Sequence, residues 1–297
     1  GIRGHRGLFN MEGTQEREEY KSKVKKLIEK YNIKKIKKKE IVIKESVGSG
    51  GQATVRHGTY NNEEVVIKKL SGRLDWKCLA DELEIVQMLE HPCIPKFYGL
   101  ILDDTILCMV FQYIKGVTLD KLDVMAMERE VRLDILKKLA DTFNYIHTKG
   151  YIHRDFKADN VMVDNDLKVW VIDFGIAKKT QGNEKDVVHT KAKGNVFWVA
   201  PENFDMDDSN KSDVTFKVDI WGFGLLVSFM FSGVEPWTNY SNNQTKVQNK
   251  ILEGYAFPIP KVVEEKEVLG VIKACTNYDP KSRPSFADIM EMLKKIK

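Results

Sequence analysis

Asp155 and Asp173, eighteen residues apart, are the side chains in this sequence with the most chemistry to offer. Each adjoins a strand-like run: Val161–Val163 follows the first, and Val169–Ile172 precedes the second. Between the runs, Asp164-Asn165-Asp166 is turn chemistry, because short Asx side chains cap their own backbone. A tight hairpin there folds the second acid back towards the first. That separation suits a division of labour in which one acid orients a nucleophile and the other holds a metal ion.

Other stretches must position those acids. Strand-like Ile41–Ile43 leads into Val47-Gly48-Ser49-Gly50-Gly51-Gln52-Ala53-Thr54-Val55, where glycines let backbone N–H groups approach an anion closely. Alone this pattern is weak and reads equally as a hairpin turn. A dinucleotide-binding Rossmann unit is disfavoured, because no clear helix opens after the glycines and the next apolar runs look like strands. Val55 and Val65–Ile67 predict an antiparallel sheet. Val65-Val66-Ile67-Lys68 puts an amine in an apolar strand, which is costly unless an acid or a phosphate meets it. That acid is expected from a helix over Lys77–Glu90. Leu107–Gln112 reads as a buried strand, and Glu128–Thr148 as a core helix with Val131, Ile135, Leu139, Phe143 and Ile146 at helical spacing.

The 297 residues are enough for two lobes and a sizeable core, and 42% hydrophobic with 30% charged is ordinary for a soluble globular protein. Cys78, Cys93, Cys108 and Cys275 form no CxxC pair, so neither a zinc cluster nor a disulfide framework is signalled. The longest apolar run, Ile220–Phe231, is too short to span a bilayer. No secretory leader is legible, and an intracellular, cytoplasmic setting is expected. Gly1–Asn10 precedes Met11 without periodicity and reads as an added or disordered end. Residues 1–40 carry 13 Lys/Arg against 6 Asp/Glu, or +7, while the remainder carries 34 against 37, or −3. Within this basic extension Tyr20, Val24, Leu27, Ile28 and Tyr31 recur at helical spacing, with Asn32 as an end signal. The favoured reading is a helix docked by its apolar stripe, its lysines solvated. Contact of Lys21–Lys39 with anionic membrane is the lesser alternative, and no nucleic-acid recognition motif stands behind the charge.

His153-Arg154-Asp155-Phe156-Lys157-Ala158-Asp159-Asn160, followed by Asp173-Phe174-Gly175, resembles the catalytic signature of protein kinases. The resemblance extends from about Ile41 to Lys297 and implies an α+β, two-lobed fold. Its N-lobe would span 40–112, the hinge 113–116 and the C-lobe 117–297. It implies Mg²⁺-dependent use of ATP. Val47, Gly48, Ser49, Gly50, Gly51, Val55, Val66, Lys68, Phe111, Gln112, Tyr113, Ile114 and Met162 would line the nucleotide site. Lys68 would grip phosphates while paired with Glu82, nine residues before His91-Pro92, with Glu84 in reserve. Asp155 would orient or deprotonate a substrate hydroxyl, Lys157 would neutralise the moving phosphoryl group, and Asn160 and Asp173 would hold Mg²⁺.

Phe111 falls at the gatekeeper position beside the adenine pocket. Glu202, closing Gly194–Glu202, would pair with Arg283. Asp219–Gly224 would open a buried central helix. Phe197–Glu202 and Cys275…Arg283-Pro284-Ser285-Phe286 look like the tyrosine-kinase-like group, whose members mostly phosphorylate Ser/Thr, and Lys157 points the same way. Three positions depart from the pattern: Ala53 replaces the third glycine, Val66 the usual Ala, and Asn195 the usual Thr. They keep two alternatives open, a Tyr or dual-specificity acceptor and a pseudokinase scaffold. Arg154 would pair with a phosphorylated activation segment, at Thr190 first and Thr180 second, modified by an upstream kinase or by autophosphorylation.

Overall fold

The computed structural model describes residues 14–50, 53–70, 76–103, 107–174, 178–179, 195–204 and 215–297. The chain divides into two compact units, Gly1–Lys115 and Gly116–Lys297.

The first unit is built on a five-stranded antiparallel sheet of β1 (Ile41–Gly50), β2 (Ala53–Tyr60), β3 (Glu63–Leu70), β4 (Phe97–Leu102) and β5 (Leu107–Gln112). The strand order is β1-β2-β3-β5-β4. Asn61 and Asn62 join β2 to β3 with φ of 49° and 65°, the paired positive values that a two-residue I′ hairpin requires and Asn tolerates. Along β3, Val65 and Ile67 point into a core shared with Ile36, Ile41, Tyr60, Ile101, Cys108 and Val110. Lys68 follows on the opposite side of the strand, as the period of two dictates. Among the described residues the unit also holds two α-helices, α1 (Thr14–Lys30) and α2 (Trp76–Met88). The sequence placed the second at Lys77–Glu90, a difference of one or two residues at each end, where helices fray.

The apolar stripe of α1 is buried: Tyr20, Val24, Leu27 and Ile28, followed by Ile33 and Ile36. Asn32, at φ 51°, ends the helix, and the Ile33 N–H reaches back to the Ile28 carbonyl at 2.9 Å. The chain then joins the sheet beside β4, the Ile36 N–H bonding to the Leu100 carbonyl at 2.8 Å and the Leu100 N–H to the Lys34 carbonyl at 2.9 Å. The extension thus covers an edge strand that would otherwise leave its hydrogen-bonding groups exposed.

The second unit contains α3 (Arg129–Thr148), α4 (Lys217–Ser232), α5 (Gln244–Leu252), α6 (Lys266–Cys275) and α7 (Phe286–Lys294). Its strands β6 (Gly116–Thr118), β8 (Val161–Asp164) and β9 (Val169–Val171) form one antiparallel sheet, and β7 (Tyr151–Ile152) pairs with β10 (Lys178–Lys179). The expected hairpin is therefore present, with Val161 opposite Val171. Every residue of α4 from Val218 to Phe231 is buried, so this helix is apolar all round and the unit packs about it. Phe143 on α3 packs against Phe156 and Phe286 with tilted rings, centroids 4.1 and 5.4 Å away, tying α3 and α7 to the segment that carries Asp155. No helix among the described residues is long and apolar enough to cross a membrane.

Candidate functional site

In the first unit, the Lys68 amine donates to a Glu82 carboxylate oxygen at 2.8 Å, and Glu82 is buried. Glu84 instead accepts the Tyr31 hydroxyl at 2.9 Å. The antiparallel register sets Lys68 between Val55 and Met109, and Val66 between His57 and Phe111. Val47–Gly50 lie in β1, with Gly48 opposite Val55 and Gly50 opposite Ala53. Gly51 lies outside the described residues. The Phe111 ring packs on Phe97 at 5.2 Å. Beyond β5, the Gln112 N–H bonds to the Lys96 carbonyl at 2.8 Å and the Tyr113 N–H to the Glu64 carbonyl at 3.1 Å. Both amides are spent within the unit. The Tyr113 ring stacks on His57 at 4.2 Å.

In the second unit, the segment from β7 to β8 hangs from one buried carboxylate. Asp219 accepts the N–H of His153 at 2.9 Å and of Arg154 at 2.8 Å, and its Oδ2 lies 2.7 Å from His147 Nε2. Burial alone would raise the Asp219 carboxyl, but these donors and the nearby imidazoles hold it below its ordinary value. His153 Nδ1 accepts the Asp155 N–H at 3.2 Å, which makes Nε2 the protonated nitrogen, donating to the Ile172 carbonyl at 3.1 Å. One buried ring therefore ties the loop of Asp155 to the residue before Asp173. A second tie is the Ile172 N–H to the Asn160 carbonyl, 3.0 Å.

Around Asp155 the side chains converge. Asn160 Nδ2 donates to the Asp155 carbonyl oxygen at 2.8 Å and to its Oδ2 at 2.9 Å. The Lys157 amine is 3.7 Å from Asp155 Oδ1 and 3.4 Å from Asp159 Oδ2. Burial would lower that amine, but the carboxylates of Asp155, Asp159 and Asp173 outweigh it and hold it above the usual lysine value. Arg154 and Asp173 adopt φ of 69° and 61°, backbone conformations that cost energy outside glycine and gather at functional sites. Met162 lies on β8, opposite Thr118 and Trp170.

Asn160 and Asp173 suit Mg²⁺, a hard cation bound through one or two protein oxygens and through phosphate. With its Nδ2 turned to Asp155, the Asn160 amide keeps Oδ1 as its donor oxygen. Among the described residues no three His, Cys, Asp or Glu side chains form an all-protein cage.

Asn195 caps a short turn, its Oδ1 accepting the Phe197 N–H at 3.1 Å. Glu202 meets Arg283 through two hydrogen bonds of 2.6 and 2.9 Å, and Arg283 is buried with further bonds to the Asn277 and Lys217 carbonyls. Thr180 and Thr190 lie outside the described residues. Sequence reasoning missed the positioning roles of Asp219, His147 and His153. The available signal was Asp219 itself, the one acid in the apolar run from Val218 to Phe231, where a buried charge must find partners.

The sequence model of a family described as protein tyrosine and serine/threonine kinase matches residues 41–293. A tyrosine-protein kinase of Caenorhabditis elegans is 30% identical over 88% of this chain and 48% of its own length. A probable serine/threonine-protein kinase of Dictyostelium discoideum is 29% identical over 86% of this chain and 28% of its own length. A mitogen-activated protein kinase kinase kinase of Drosophila melanogaster is 28% identical, covering 86% and 23%. The chain thus spans about half, or less, of the length of these relatives.

Proposed function

The chain belongs to the protein tyrosine and serine/threonine kinase family, and we propose that it transfers the γ-phosphate of ATP to Ser and Thr hydroxyls of protein substrates. The observation that carries this reading is the cluster at Asp155, whose carboxylate is held by Asn160 and faces Lys157 in a loop suspended from Asp219. Phosphoryl transfer asks for positioning and dispersal of negative charge more than for covalent chemistry.

Asp155 orients the acceptor hydroxyl and takes its proton as the oxygen attacks. Lys157, kept protonated by its acidic neighbours, neutralises charge on the transferring group. Lys68, held by Glu82, would place the phosphates, and Val47, Gly48, Ser49, Gly50, Gly51, Val55, Val66, Phe111–Ile114 and Met162 are the proposed nucleotide contacts. Asn160 and Asp173 would hold Mg²⁺. When bound, Mg-ATP supplies the transferable phosphoryl group and the metal charge that its oxygens share.

The lysine two residues beyond Asp155 favours Ser/Thr acceptors. The tyrosine-kinase relative favours the second reading, a Tyr or dual acceptor. Thr190, flanked by Lys191 and Lys193, is the proposed regulatory phosphosite, with Thr180 next and Arg154 as its partner. Peptide-library phosphorylation with Mg-ATP, followed by phosphoamino-acid analysis, tests the whole reading. Phosphoserine and phosphothreonine are expected, with Asp173→Asn inactive. Phosphotyrosine alone would overturn the acceptor assignment. A native chain no more active than Asp173→Asn would leave a scaffold.

A further inference from the structure

The Lys68–Glu82 pair needs α2 at one rotation about its axis, because a helical side chain sweeps about 100° per residue. Glu82 and Glu84 are two positions apart, so they leave α2 about 200° from one another, on nearly opposite sides. Lys68 holds the first at 2.8 Å and Tyr31 the second at 2.9 Å. A rod gripped on both sides cannot turn to improve one contact without straining the other. The grip on the Glu84 side is repeated lower down, where Gln87 Nε2 donates to the Asn32 carbonyl at 3.4 Å.

Tyr31 is itself fixed. It directly follows α1, whose stripe of Val24, Leu27 and Ile28 is buried, and it precedes the left-handed turn at Asn32. The chain beyond that turn is hydrogen-bonded to β4 on both sides of Lys35. Burial, and then Glu84 against an opposing Lys30, raises the Tyr31 phenol above its ordinary value, so the hydroxyl remains a donor.

We propose that Tyr31 is a positioning residue for phosphate binding: through Glu84 it sets the rotation of α2 and so holds Glu82 against Lys68, making the N-terminal extension part of the catalytic apparatus. The proposal rests on the assignment of Lys68 and Glu82 above, and it adds a residue outside the segment matched to the family, which begins at residue 41. Tyr31→Phe keeps the ring and removes the hydroxyl, with its bond to Glu84 and its contact with Lys30.

The test reads the amine of Lys68 directly, by its rate of acylation with an amine-reactive reagent, quantified by mass spectrometry. Lys69, the next residue on β3, is the internal control. In Tyr31→Phe, labelling of Lys68 rises about threefold or more, part of the roughly tenfold that one lost hydrogen bond to a carboxylate is worth, while Lys69 is unchanged. KM for Mg-ATP rises by a similar factor, with KM for peptide unaltered. Glu84→Gln retains an acceptor oxygen and gives a smaller change than Glu84→Ala. In a Glu82→Gln background Tyr31→Phe adds nothing further, because its effect runs through Glu82. Lys68 labelling equal in Tyr31→Phe and the native chain would overturn the proposal. Increased Lys68 labelling in Tyr31→Phe, with a native chain that transfers no phosphate, would sustain the positioning role and remove the catalytic reading instead.

Discussion

Asp219 is a single carboxylate on which two backbone amides and one imidazole converge, and it has no solvent to fall back on. Asp219→Asn preserves size but replaces one acceptor oxygen by a donor facing donors. We expect a loss of about 3 kcal/mol, the range for breaking a buried charge interaction, measured by urea unfolding. Its folded pKa lies below the ordinary 3.8. The stabilisation is therefore complete above the unfolded value and is lost as pH falls through the folded one. The gap between native and Asp219→Asn proteins should narrow progressively below pH 3.8; a gap that stays constant there would mean the carboxylate charge is not what matters. Phe111 gives a second residue-scale prediction. Phe111→Gly removes its contact with Phe97, costing about 2 kcal/mol, and opens space beside Val66. Bulky adenine-site inhibitors should gain affinity, and an unchanged inhibition constant would count against the gatekeeper assignment.

At the scale of elements, α4 is what the site is built on, and two of its glycines separate positioning from mere packing. A Cβ at Gly222 would meet the Phe156 Cβ and carbonyl oxygen at 2.8 Å, whereas one at Gly224 would meet Cys275 Cβ at 2.6 Å. Both Gly→Ala changes overpack the core and should cost about 1–3 kcal/mol. Only Gly222→Ala pushes on the residue beside Asp155, so only it should lower kcat per folded molecule; equal kcat losses in the two variants would refute that distinction. The elements themselves were largely legible. The β8–β9 hairpin announced itself through its Asx turn, and α3 and α4 through periodicity and apolar length. What the sequence could not disclose was pairing across distance. Lys68 had two candidate acids on one helix, and only the azimuth of α2 separates them. The imidazole partner of Asp219, His147, lies on α3, 72 residues away, and nothing local in either stretch names the other.

On the scale of the whole chain, the basic extension is where charge alone misleads most. With +7 over 40 residues it invites a membrane or polyanion reading, yet its apolar face is buried. Among its described residues solvated lysines are left for a lipid surface, and such attraction is screened by salt. The docking depends on Gly99, whose φ of 146° L side chains rarely adopt and whose missing Cβ makes room for the Lys34 carbonyl. Gly99→Ala strains β4 and pushes the 33–36 segment off its edge, so a loss of about 2–4 kcal/mol is expected. Strain in β4 and release of the extension both lower the melting temperature, so melting cannot tell them apart. Limited trypsin digestion can, because the lysines at 34, 35, 37, 38 and 39 adjoin the released contact. Cleavage there should accelerate well before cleavage elsewhere. A lowered melting temperature with unchanged early cleavage would locate the cost in the β4 backbone alone and leave the extension docked by its buried stripe.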